Sequence, residues 1–135
     1  VSNGNVDANL DGQINDRAQQ VGDPHLDDPT AATWFNTAAF VQNKAVTGVA
    51  VDGNTPRNSL EGPGYRVVDL AVSRSFRLPR KIKLTFRGEA TNAFNVVNLG
   101  LPGANVPSGA TSTTFGVIRT ANAMRRVQLG VRLTF

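Results

Sequence analysis

At 135 residues and with no cysteine, the chain is long enough to bury a core as one domain, while disulfide staples and thiolate metal sites are excluded. No apolar run approaches the ~20 residues of a membrane-spanning helix. The net charge of +4 hides a division, because residues 1–64 hold eight acids and three bases whereas residues 65–135 hold two acids and eleven bases.

The chain starts "VSNGNVDANL", without a basic segment leading into an apolar stretch, so as given it is expected to be mature, truncated or not exported. Residues 1–64 read as an acidic, loop-rich segment dense in Asn, Asp, Gly and Pro, with no apolar period. Within it, "DANLDGQIND" has the spacing of a calcium loop. Asp7, Asn9 and Asp11 take positions one, three and five, Gly12 takes six and Ile14 eight. Alternate oxygen side chains converge on a hard cation there, and Gly permits the sharp turn. Position twelve is Ala18 where an acid is expected, and Asp16, two residues early, is its candidate substitute. Asp7, Asn9, Asp11 and Asp16 are thus the candidate calcium ligands, with weak affinity given the incomplete charge set. The alternative is an Asx-rich loop whose side chains bond their own backbone.

His25, the one histidine, follows in "GDPHLDDP". Asp27 and Asp28, with Asp23, could orient it as a general base, and these residues are the catalytic candidates if the chain is a hydrolase. The alternative is a solvated loop histidine. Ser59 completes a formal Ser-His-Asp set, but no G-x-S-x-G elbow surrounds it. A loop-bound calcium polarising an ester or lactone carbonyl is the more economical hydrolase, with an Asp or His25 activating water. Further on, "ATWFNTAAFVQ" supplies aromatic anchors for a short helix or a strand, and the pattern does not decide. "TGVAVDGNTPRNSLEGPGY" returns to turns.

Residues 65–135 are more regular. In "YRVVDLAVSRSF", Val68, Leu70, Val72 and Phe76 share one face, with Arg74 as the polar exception among them. In "KIKLTFRGEATNAF", Ile82, Leu84, Phe86, Gly88 and Ala90 oppose Lys83, Thr85, Arg87 and Glu89. The two strands are expected to form a hairpin around Pro79, with Asp69 and Glu89 pairing with bases across it. A loop of thirty residues, 95–124, precedes a last strand in which Val127, Leu129, Val131, Leu133 and Phe135 alternate with polar residues and Gly130. Compact soluble domains seldom keep a structureless loop beyond about 12–15 residues. Short turns on one side, a long loop on the other and two-residue alternation describe an outer-membrane barrel wall. A soluble antiparallel sheet covered on one face fits the same alternation.

"RSFRLPRKIKLTFRG" interleaves aromatics with Arg and Lys, as single-strand nucleic-acid binders do. However, Lys83 and Arg87 fall on the polar strand face, and Arg77, Arg80 and Lys81 gather at the turn, placements that suit a barrel lumen and its rim. Nucleic acid is therefore not the expected partner.

Five phrases, in order, carry a resemblance: "DANLDGQINDR", "WFNTAAFVQ", "RNSLEGPGYRVVDLAVSRSFRL", "FRGEATNAFNVVNLGLP" and "FGVIRTANAMRRVQLGVRLTF". Together they resemble the C-terminal end of TonB-dependent outer-membrane receptors, most closely the carboxypeptidase-regulatory-like, Oar-like group. The resemblance implies an outer-membrane location and import of a scarce ligand with energy passed through TonB. It further implies that no residue here is catalytic. The implied partners are the remaining strands of a barrel and its assembly machinery, which in that family reads the last strand and a terminal aromatic such as Phe135. The expected fold is all-β: an antiparallel sheet of amphipathic strands in 65–135, ending in a barrel-type strand, behind the acidic loop-rich segment 1–64 and its candidate calcium loop. The runner-up function is a small soluble calcium-dependent hydrolase of esters or lactones.

Overall fold

A computed structural model describes residues 1–14, 16–44, 49–107 and 114–135, and the chain is all-β, its sheets antiparallel. Its elements are β1 (Gln19–Gln20), a 3-10 turn (Thr37–Ala39), β2 (Phe40–Val41), β3 (Leu70–Arg77), β4 (Lys83–Thr91) and β5 (Arg126–Thr134). Two compact units result, one from Val1–Pro63 with Leu99–Thr120 and the other from Gly64–Asn98 with Ala121–Phe135.

In the first unit, β1 pairs with β2, Gln19 opposite Val41 and Gln20 opposite Phe40. The stretch whose pattern leaves helix and strand open contains both in succession. The Asn36 side chain accepts the Ala38 N–H and starts the 3-10 turn, and the backbone becomes extended at Phe40. This places Phe35 and Phe40 inward, where they meet Phe115 edge to face, with ring centroids 5.2 Å (Phe35–Phe115), 5.7 Å (Phe35–Phe40) and 6.1 Å (Phe40–Phe115) apart. Ala18, Ala39 and Val106 complete this core.

Phe115 and Val106 come from the long loop, which is not free-standing. Residues 99–120 fold into the first unit through backbone bonds, among them Ser2 N–H to Ala104 O (2.9 Å), Trp34 N–H to Gly116 O (2.8 Å) and Ile118 N–H to Ala31 O (2.8 Å). Packing thus divides the chain differently from the charge boundary at 64/65, since part of the basic half completes the acidic unit. Residues 108–113 of that loop lie outside the described residues. Buried amides do much of the remaining backbone pairing. Asn3 accepts the Asn43 N–H (2.6 Å) and donates to Asn43 O (2.5 Å), and Thr55 Oγ1 donates to Ala18 O (2.6 Å).

The second unit is a three-stranded sheet in the order β3-β4-β5. Leu78 N–H donates to Ile82 O (2.8 Å), closing the hairpin around Pro79-Arg80-Lys81. Arg80 and Lys81 both sit at φ +62°, a left-handed region costly for residues with a Cβ. At the other end β4 stops at Asn92, also left-handed at φ +49°. The Asn92 N–H donates to Asp69 Oδ1 (2.9 Å), while its side chain exchanges two 2.9 Å bonds with the Val96 backbone. Asn92→Ala loses those side-chain bonds and adds backbone strain, so it is expected to cost about 2–3 kcal/mol of unfolding free energy, read from the shift in denaturant midpoint. Asn92→Gly, which keeps the backbone freedom, costs less. Equal costs for the two variants would contradict this account.

Candidate functional site

The register of the sheet sorts its side chains into two faces. Across β3, β4 and β5 the rows Leu70–Ala90–Val127, Val72–Gly88–Leu129, Arg74–Phe86–Val131 and Phe76–Leu84–Leu133 share one face. The rows Ala71–Glu89–Gln128, Ser73–Arg87–Gly130, Ser75–Thr85–Arg132 and Arg77–Lys83–Thr134 share the other. Apolar residues therefore form one contiguous surface, as the alternation predicts. Its exception, Arg74, lies 5.8 Å over the Phe76 ring, and Phe76 meets Phe86 edge to face at 6.0 Å.

This apolar face is uncovered. Leu129 is 82% exposed and Val72 73%, against 2% for Phe35 in the first unit's core. A soluble antiparallel sheet keeps one face packed on a core, and among the described residues nothing covers this one. A surface of that kind belongs against another protein or lipid. The outer strands, β3 and β5, also each leave one edge without a strand partner among the described residues.

The polar face corrects one expectation. Glu89 does not pair across the hairpin, for its register neighbours are Ala71 and Gln128, and its carboxylate takes both Nε and Nη2 of Arg87 along its own strand. Asp69 caps the Asn92 backbone instead of meeting a base. Period-2 alternation puts acid and base on one face but leaves their rung unspecified.

The calcium candidates gather in one loop. Asp7 Oδ1 accepts the Asp11 N–H (3.2 Å) and Oδ2 the Gly12 N–H (3.0 Å), with Gly12 at φ +85°. Asn9 Oδ1 shares the Asp11 N–H (3.1 Å), and its amide donates to Asp11 Oδ2 (3.1 Å). Asp11 Oδ1 takes the Gln13 N–H (2.8 Å). Asp16 is buried, and its Oδ2 accepts the N–H groups of Ala8 (2.5 Å) and Asn9 (3.1 Å). These bonds are those of an Asx-rich loop, although the oxygens of Asp7, Asn9 and Asp11 each keep a second lone pair for a cation, whereas Asp16 Oδ2 uses both of its own on the loop. Ala18, at the acid's usual position, is fully buried in the core. Among the described residues no group of three or more His, Cys, Asp and Glu is arranged to hold a metal.

His25 borders an open cleft of about 500 Å³ together with Trp34, Ser59 and Glu61. Asp27 and Asp28 do not line it. The residue on the imidazole is Asp23, whose Oδ1 lies 2.8 Å from Nδ1 and also accepts the His25 N–H at 3.0 Å. Spacing alone does not separate Asp23 from Asp27 and Asp28. The Asx turn, a carboxylate reaching the N–H two residues on, is the local signal that selects it. Both Asp23 and His25 are mostly solvent-exposed.

The His25 backbone N–H, then its ring, holds the Asp23 carboxyl below the ordinary aspartate range. A depressed carboxylate stabilises the fold above its unfolded pKa and loses that contribution as pH falls through the folded one. The turn is therefore expected to persist at neutral pH and open only below the ordinary aspartate range. NMR of the His25 amide reads this directly, and a midpoint at the value of a free aspartate would contradict it.

Comparison with known proteins bears on the sheet. A family model described as an outer membrane beta barrel domain matches residues 1–128. The chain belongs to the outer membrane beta barrel domain family, and its location is the outer membrane. No curated protein and no solved structure matches it. Walls of outer-membrane barrels turn an apolar face to lipid and a polar face inward, and in this sheet the polar face is the one bearing Lys83, Arg87, Glu89 and Arg132.

Proposed function

We propose that the chain supplies C-terminal wall strands of a TonB-dependent outer-membrane receptor, importing a scarce ligand and performing no chemistry of its own. The observation that carries this reading is the three-stranded sheet whose faces are separated into apolar and polar, Arg74 excepted, in a chain of the barrel family. The TonB-dependent subtype is supported by the phrases "RNSLEGPG", "EATNAFN" and the β5 strand. On this reading the open edges of β3 and β5 pair with further strands of the barrel, and the barrel-assembly machinery recognises β5. The test is retention of the detergent-extracted receptor carrying these residues on immobilised periplasmic domain of TonB. Absence of retention, with folding in micelles intact, would remove the TonB-dependent subtype and leave the barrel wall.

Calcium binding by Asp7, Asn9, Asp11 and Asp16 is proposed as a weak, loop-ordering interaction. It is supported by three oxygen-bearing side chains in one turn around Gly12. Titration calorimetry is expected to show a calcium heat that Asp11→Ala abolishes. No heat, or a heat indifferent to that substitution, rejects the site.

A further inference from the structure

We propose that the β3–β4 hairpin end is a docking surface for anionic phospholipid headgroups, which fixes that end of the strands at the membrane–water boundary. The inference rests on the barrel-wall reading. Charge is the first ground. Residues 70–88 contain Arg74, Arg77, Arg80, Lys81, Lys83 and Arg87 and no acid at all. Arg80 and Lys81 stand in the turn itself, beyond the last rung of the sheet, where register sets Arg77 directly opposite Lys83. Like charges directly opposite repel, and an anion bound at the turn offsets that repulsion. Glu89, the one acid within the three strands, is occupied by Arg87.

The backbone adds a second ground. The turn holds Arg80 and Lys81 at φ +62°, where Asn or Gly would sit without strain, so it retains two cations against its own conformational preference. Both side chains are exposed. A third ground is the neighbouring surface. On the apolar face at this same end lie Phe76 and Phe86, with Arg74 over the Phe76 ring. Aromatics bordered by bases at the end of membrane strands are the composition of a bilayer interface. The opposite end differs, for there Asp69 and Glu89 accompany Arg125 and Arg126. Headgroup phosphates suit both cation types, since Arg binds them bidentately and Lys as a point charge.

The experiment partitions the full chain between water and vesicles of phosphatidylcholine, made with and without phosphatidylglycerol. The wild type is expected to prefer the phosphatidylglycerol vesicles, with the preference vanishing in molar salt. Combining Arg80→Asn with Lys81→Gly keeps a favourable turn while removing two cations. It is expected to lower the preference roughly 25-fold, about fivefold per cation. Arg125→Gln with Arg126→Gln, at the other end, is expected to leave the preference near wild type. The proposal is overturned by equal partition of the wild type, by an unchanged preference in the turn variant, or by an equal loss in the Arg125/Arg126 variant. Displacement by inorganic phosphate at matched ionic strength would also overturn it, by revealing a free-anion site. Failure to enter either kind of vesicle is a separate result, and it strikes the barrel-wall reading itself.

Discussion

Leu129→Arg is expected to block folding into a bilayer, whereas Gln128→Arg, one residue away, leaves folding intact. Leu129 stands mid-strand in β5, in register with Gly88 and Val72 on the apolar face. A guanidinium there must leave water for hydrocarbon, at about 2–4 kcal/mol near the bilayer midplane. Gln128 lies on the other face, in register with Glu89, so an Arg at that position stays hydrated and gains a carboxylate neighbour. Urea-titrated folding into phosphatidylcholine vesicles separates the two variants. Equal effects would mean that the faces do not see different solvents.

The second large effect lies in the other unit. Phe35→Ala is expected to cost about 3–5 kcal/mol, because the ring is almost wholly enclosed and its removal leaves a cavity in the core. Its loss removes two edge-to-face contacts at once, to Phe40 and to Phe115. Since Phe115 belongs to the long loop, amide exchange should accelerate in residues 99–107 as well as around β2. Phe35→Leu, which keeps volume but not the ring edges, should fall between wild type and Phe35→Ala. Exchange confined to residues near Phe35 would contradict the shared core.

These two sites differ in how far the sequence reveals them. β5 is legible residue by residue, because alternation is a local property and each apolar position from Val127 to Leu133 lies on the expected face. The hairpin around Pro79 is legible for the same reason. The core around Phe35 is not, because its partners lie far along the chain and are joined mainly by backbone carbonyls, which carry no residue identity. Ala104, Gly116 and Ala31 accept the bonds that fold 99–120 into the first unit, and nothing in those residue types announces it. Buried asparagine is hidden in a related way. Asn3 and Asn92 are each buried with their side chains paired to main chain, Asn3 to the distant Asn43 and Asn92 to Val96 within its own turn. At the candidate sites, spacing brings Asp7, Asn9 and Asp11 together correctly but does not anticipate how many of their oxygens serve the loop itself. Near His25 it offers three acids, and the turn chooses Asp23.

The central claim is that β3, β4 and β5 divide lipid from an aqueous interior, and scanning β5 tests it most directly. The chain has no cysteine, so one Cys placed in turn at each position from 126 to 134 gives a single label per variant. With a fluorophore there, and quenchers confined either to lipid tails or to water, positions 127, 129, 131 and 133 are predicted to respond to the lipid quencher. Positions 128, 130, 132 and 134 are predicted to respond to the aqueous one. Quenching without a two-residue period, or aqueous quenching at every position, would contradict the account.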